Sequence, residues 1–186
     1  MKYKGKNFFI ENLKASTLAK KYSTPLYCYS YNKLKENIIK FKKTFETINP
    51  LICFAVKSNS NKILLREISK LGIGADVVSV GELMKALKAG IKPNKIVFSG
   101  VGKTSKEINY AITKKILLIN AESKSEVLEI EKIAKSKKRI VNIGIRLNPN
   151  TDAKTLSQIS TGKKDNKFGV SEKIFLNLVH YVKKSS

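Results

Sequence analysis

From residue 51 onward the chain alternates short apolar runs with longer stretches in which apolar residues return every three or four positions. Residues 51 to 56, LICFAV, place six apolar side chains in a row, the pattern of a strand buried on both faces. A helix is predicted over about 61 to 71, where Ile63, Leu64, Ile68 and Leu71 share one face while Lys62, Arg66 and Lys70 share another. The alternation then repeats. Strand ADVVS leads to helix GELMKALKAG, strand KIVFSG to helix SKEINYAITKK, and strand ILLINAE to helix SKSEVLEIEKIAKSK. Strand RIVNIGIRLNP is followed by a polar loop and a last helix, SEKIFLNLVHYVKK. Ser123 followed by Glu126 supplies a capping box, whereas Ser105 followed by Ile108 does not. Ahead of this series, TPLYCYS predicts a short strand by its alternating aromatics, and YNKLKENIIKFKKTF an amphipathic helix.

Five strands, each followed by a helix and joined by right-handed crossovers, make either a doubly wound sheet or part of a barrel. A dinucleotide-binding sheet wants a glycine-rich turn directly after its first strand, and KSNSNK has no glycine. SGVGKT at 99 to 104 resembles a phosphate-binding loop, but Val97 stands where that pattern needs its first glycine. In a barrel, Cys53, Ala55 and Lys57 point inward while Ile52, Phe54 and Val56 pack on the helices. Lys57 then lies at the C-terminal end of a strand, where barrel enzymes carry their catalytic groups. A lysine there is either a nucleophile toward carbonyls, able to hold pyridoxal phosphate covalently, or a strand-end charge reaching for water.

Composition narrows the function classes. The chain has 186 residues, is 42% apolar, and carries a net charge of +23 from 37 Lys and Arg against 14 Asp and Glu. Nucleic-acid binding does not follow, because only Arg66, Arg139 and Arg146 are guanidinium groups and the lysines are scattered rather than clustered among aromatics. No apolar run approaches the roughly 20 residues of a membrane span, and the N-terminus has no cleavable leader pattern, so a cytoplasmic location and no membrane partner are expected. Cys28 and Cys53 form no CxxC pair and are expected to be buried hydrophobes, with no metal site. Asp76 sits in an otherwise apolar strand and Arg146 between Ile145 and Leu147, so each needs a partner; pairing with one another across the barrel mouth would satisfy both.

FAVKSNSNKILLREISKLG resembles the cofactor-lysine signature of the fold-type III pyridoxal-phosphate decarboxylases, the ornithine, arginine and diaminopimelate group. GIGADVVSVGELMKALKAGIKPNKIVFSGVGKT and IRLNPNTDAKTLSQISTGKKDNKFGV are similar to the diaminopimelate branch, and the likeness runs from about residue 22 to the end. The resemblance implies pyridoxal 5'-phosphate as cofactor, Lys57 as the residue that holds it, Asp76 and Arg146 as cofactor-binding, and Glu82 and Ser79 nearby. It implies an α/β fold, a TIM-type (β/α)8 barrel of the alanine-racemase-like kind truncated after about five strands. Residues 1 to 48 form an N-terminal strand and helix, and 49 to 186 the partial barrel. The implied reaction is decarboxylation of meso-2,6-diaminopimelate to L-lysine and carbon dioxide, by a homodimer when full length. The alternatives are another enzyme of that fold type, such as an ornithine or arginine decarboxylase or an alanine racemase, or a non-catalytic cofactor-binding barrel.

The chain also departs from that pattern. Leu156 and Gln158 stand where many members of the resembled family have a histidine and an aromatic. A complete barrel takes roughly 250 residues, so the ring-stacking histidine, glycine-rich phosphate loop and C-terminal β domain that the resemblance implies are expected to lie outside these 186 residues. His180 falls with Lys173, Asn177 and Lys184 on the polar face of the last helix and is expected to be solvated. The strand at 25 to 30 would then lack its sheet, and 186 residues alone should not decarboxylate at a useful rate.

Overall fold

The computed structural model describes residues 1–149, 151 and 168–185. The chain divides into two compact units, Met1–Pro50 and Leu51–Ser186.

The first unit begins with a three-stranded antiparallel meander, β1 (Lys2–Lys4), β2 (Asn7–Ile10) and β3 (Leu13–Lys14). Gly5, at φ +56°, makes the first reversal possible, because a left-handed backbone carries no steric cost without a Cβ. Helices α1 (Ala15–Tyr22) and α2 (Tyr31–Thr44) follow. Ser30 caps α2 by accepting from the Lys33 amide, and its hydroxyl donates to Glu11 at 2.7 Å. The strand expected over 24 to 30 makes no ladder. Those residues join the two helices, with Tyr27 88% exposed and Tyr29 62% exposed, because no strand of this unit offers them hydrogen bonds.

In the second unit the expected βα series is present. The strands are β4 (Cys53–Ala55), β5 (Gly74–Val77), β6 (Ile96–Phe98), β7 (Leu118–Ala121) and β8 (Ile143–Ile145). They form one parallel sheet in the order β4-β5-β6-β7-β8. Between them lie α3 (Lys62–Lys70), α4 (Val80–Lys88), α5 (Ser105–Lys114) and α6 (Lys124–Ser136), with α7 (Glu172–Lys183) after the last. Five parallel strands with intervening helices fit the truncated (β/α) barrel that the family resemblance implies.

The core lies on one side of that sheet. Ala75, Val77, Ile96, Phe98, Ile119 and Ala121 are fully buried against Leu65, Leu83, Ile108, Val127 and Ile130 of the helices. The period of two sends the alternate residues to the other face. Cys53, Ala55, Asp76, Val97, Ser99 and Asn120 therefore share the inner side, all partly exposed. Cys53 is thus half-buried on the inner face rather than part of the core.

Strand and helix ends differ from the sequence reading in three places. The last strand was expected from Arg139 but is ordered as β only from Ile143. Before it, Arg139 donates instead to the carbonyls of Ile112 and Thr113, at 2.9 and 3.2 Å. Helix α5 starts one residue earlier than the Ser105 reading allowed, and Thr104 with Glu107 forms the full capping box. At α6 the expected box is half made: Ser123 accepts from the Glu126 amide, but the Glu126 carboxylate reaches the Glu122 amide at 2.9 Å.

Candidate active site at the carboxyl ends of the strands

All five strands run the same way, so their C-terminal ends open on one edge, where barrel enzymes place their chemistry. Lys57 lies there, two residues past β4, in a single 3-10 turn (Val56–Ser58). Ser58 closes that turn by donating to the Ala55 carbonyl at 2.7 Å. Val56 is fully buried and anchors the turn, while Lys57 is exposed. Among the described residues the Lys57 ammonium has no ion-pair or hydrogen-bond partner. A lysine fixed at its backbone and free at its tip suits an amine that must reach an aldehyde.

Asp76 stands on the neighbouring strand, its Cα paired with that of Ala55. Its Oδ1 accepts from the Ser99 hydroxyl at 2.6 Å, and Ser99 Oγ accepts from Asn120 Nδ2 at 3.0 Å. One polar side chain from each of three adjacent strand ends thus forms a chain across the inner face. The same face holds Cys53, whose thiol is pushed up by burial and then by the Asp76 charge, with Lys95 opposing.

Arg146 follows β8 at the same edge. The expected pair with Asp76 does not form; Arg146 Nη1 instead donates to Glu122 at 3.2 Å. Sheet order explains the correction, since Glu122 follows the adjacent strand, whereas Asp76 is three strands away, about 14 Å at the usual strand spacing. The Glu122 side chain is 4% exposed and its second oxygen accepts from the Gly169 amide at 2.9 Å. Phe168 lies under the guanidinium, 4.9 Å from ring centre to Cζ. Leu147 and Val170 form a parallel bridge, so residues 168 to 170 return beside the end of β8.

Ser79 is the N-cap of α4, just past β5, and Glu82 lies in that helix's first turn. The Ser79 hydroxyl accepts from the Glu82 amide at 3.2 Å, and Glu82 Oε2 accepts from the Val78 amide at 2.9 Å. Their acceptors are engaged in capping α4, so they shape the loop between Asp76 and the helix.

Sequence reasoning missed Ser99, Asn120, Glu122 and Lys103. The signal was there in the parity: each of the first three occupies an inward position near a strand end in an otherwise apolar run. Lys103, in the stretch that imitates a phosphate loop, points into the protein. Its ammonium donates to Gly100 O at 2.6 Å, Asn120 O at 2.6 Å and Glu126 Oε1 at 2.7 Å, with its side chain 1% exposed. It has no proton left for a phosphate. His180 is exposed on α7, and Leu156 and Gln158 lie outside the described residues. A groove of about 710 Å³ between α6 and α7 is lined by Ile130, Ala134, Ile140, Tyr181 and Val182, away from the carboxyl ends of the strands. No helix among the described residues is long and apolar enough to cross a membrane.

A parallel βα sheet with a lysine after its first strand that is unpaired among the described residues, and with acids and an arginine along the same edge, has the layout of a (β/α) barrel with its polar groups gathered at the strand ends. Residues 31–185 match the family described as pyridoxal-dependent decarboxylase, pyridoxal binding domain, and the chain belongs to that family. Within it, the chain is 51% identical over 165 residues to the diaminopimelate decarboxylase of Helicobacter pylori strain J99, a span covering 89% of this chain and 41% of that protein. The crystal structure of H. pylori diaminopimelate decarboxylase complexed with L-lysine superposes with a TM-score of 0.88 at 48% identity, covering 92% of this chain and 43% of that one. The M. jannaschii enzyme in co-complex with L-lysine gives a TM-score of 0.88 at 36% identity, over 97% and 43% of the two chains. The chain therefore spans about two fifths of the length of the curated relatives it matches.

The residues present fit pyridoxal phosphate. The inner face on the Lys57 side of the sheet carries small side chains, Ala55 on the same strand and Ser99 two strands over, which leave room for a flat ring. The amine itself is free.

Proposed function

We propose that this chain is the cofactor-lysine portion of a diaminopimelate decarboxylase, which converts meso-2,6-diaminopimelate to L-lysine and carbon dioxide in the cytoplasm as a homodimer. The observation that carries the reading is the exposed, unpartnered Lys57 at the strand ends, in a chain about half identical to enzymes of that name. Pyridoxal phosphate, when bound, supplies the sink for the electron pair left by a departing carboxylate. Lys57 holds the cofactor and yields it to the substrate amine. Asp76, one strand over, offers a carboxylate to a protonated nitrogen, and Arg146, held by Glu122 and Phe168, forms the far wall of the cofactor site. Ser79 and Glu82 act through the loop that they cap.

The test is to express the chain with whatever coding sequence continues in frame past Ser186 and to measure carbon dioxide released from diaminopimelate, ornithine and arginine. Preference for diaminopimelate, abolished by Lys57→Ala, is the expected result. Preference for ornithine or arginine would overturn the substrate, and racemisation of alanine without carbon dioxide would overturn the reaction. The 186 residues alone are expected to bind the cofactor weakly and to release no carbon dioxide, since a half-open barrel admits water that screens its charges.

A further inference from the structure

The chain of hydrogen bonds across the inner face has a fixed direction. The Asn120 side-chain nitrogen can only donate, so Ser99 Oγ must accept from it at 3.0 Å. Ser99 has a single hydroxyl proton, and Asp76 Oδ1, at 2.6 Å, is its one acceptor among the described residues. Asp76 is therefore addressed as an acceptor at Oδ1, while its Oδ2 has no hydrogen-bond partner among the described residues.

Asn120 is held from two sides. Its main-chain carbonyl accepts a hydrogen bond from the buried Lys103 ammonium at 2.6 Å. Its side-chain oxygen lies over Gly144, 2.3 Å from where a Cβ on that residue would stand. Only glycine at 144 leaves the amide where it is. The end of the relay lies on β5, in register with Ala55, two residues before Lys57.

We infer that Ser99 and Asn120 are positioning residues, which hold Asp76 as a hydrogen-bond acceptor and turn its free oxygen to a protonated amine, either that of Lys57 or that of a ligand taking its place. The inference rests on the reading of Lys57 as the cofactor lysine. Neither residue touches the reacting atoms. Their effect is on where Asp76 stands and which of its oxygens is open.

The experiment uses the chain expressed with whatever coding sequence continues in frame past Ser186, and four variants of it. Asn120→Asp keeps the shape but replaces the donor by an acceptor, Ser99→Ala removes the hydroxyl, Ser99→Thr keeps it, and Gly144→Ala pushes the Asn120 amide aside. The first readout needs no cofactor: urea unfolding of Ser99→Ala, Asn120→Asp and the double variant. A relay gives non-additive costs, the second change adding far less than it does alone. The second readout is labelling by pyridoxal phosphate trapped by borohydride reduction, with the yield at Lys57 measured by peptide mapping against surface lysines as internal standards. Ser99→Ala, Asn120→Asp and Gly144→Ala are expected to lower relative Lys57 labelling about five- to tenfold, as the loss of one hydrogen bond would. Ser99→Thr is expected to retain it. Additive unfolding costs, or Lys57 labelling unchanged by Ser99→Ala, would overturn the inference. Wild-type labelling no greater at Lys57 than at surface lysines would remove the cofactor-lysine reading, and the positioning role with it, whatever the unfolding cycle gives.

Discussion

Replacing Lys103 by methionine tests whether its buried ammonium ties the loops of the site together. The ammonium donates to two backbone carbonyls and to Glu126, and the two side chains are 1% and 9% exposed. Methionine fills a similar volume and has no proton to give. Each orphaned buried carbonyl costs about 1–3 kcal/mol, and breaking a buried ion pair by removing one partner about 3–5 kcal/mol. The apolar side chain recovers about 1.5–3 kcal/mol by its own burial. At mid-range the net loss is about 6 kcal/mol, a large share of the 5–15 kcal/mol that holds an ordinary domain together. With a urea dependence of about 2 kcal/mol per molar, the unfolding midpoint falls by about 3 M at unchanged slope. Circular dichroism through a urea series measures it. Adding Glu126→Gln to Lys103→Met is expected to recover part of the loss, because a neutral amide oxygen can still accept from Glu122 while no bare charge stays buried. A cost under about 1 kcal/mol for Lys103→Met would refute the reasoning, since it would mean that the three acceptors are as well served by water.

Two further outcomes follow from the same geometry. The Glu107 carboxylate is held below its ordinary range, first by the Val80 amide and then by the Thr104 amide. Its contribution is therefore complete above the unfolded carboxylate value of about 4.3 and is lost as pH falls through the lowered folded value. Unfolding midpoints measured from pH 6 down to pH 3 should drop less steeply in Glu107→Gln than in the parent. Glu122→Gln removes the charge that receives both Arg146 and the Gly169 amide, at an expected cost of about 1.5–3 kcal/mol. Faster amide hydrogen exchange at Gly169 and Val170, with β6 unaffected, would report it.

The strands were legible because each is an apolar run bounded by a helix of different period. Their inner and outer faces followed from parity alone. The N-terminal meander was not legible, because strands of two to four residues give no period to count, and its reversals depend on Gly5 and on Glu11 at φ +54°. Lys57 could be singled out as a charge ending an apolar run, but the cofactor role proposed for it came from the resemblance. Arg146 was rightly seen to need a partner and wrongly given Asp76, because a linear sequence does not show which strand ends are neighbours. Once the order β4-β5-β6-β7-β8 is known, Glu122 is the acid within reach. Lys103 was hidden for another reason. Its stretch looks like a loop that faces phosphate, and nothing in the residue types says that the ammonium turns inward.

In the sheet, Cys53 pairs with Gly74, Ala75 with Ile96 and Val97 with Leu118, each partner the same number of residues further along. Sheet position is therefore a record of order in time. As the chain leaves the ribosome, each new strand finds its edge already laid down by the strand just before it, and no pairing has to wait for a distant segment. Contacts of such short range favour quick docking over search. The face carrying Asp76, Ser99 and Asn120 is consequently assembled one strand at a time, and Lys57, just past the first strand of this sheet to emerge, waits longest for its surroundings.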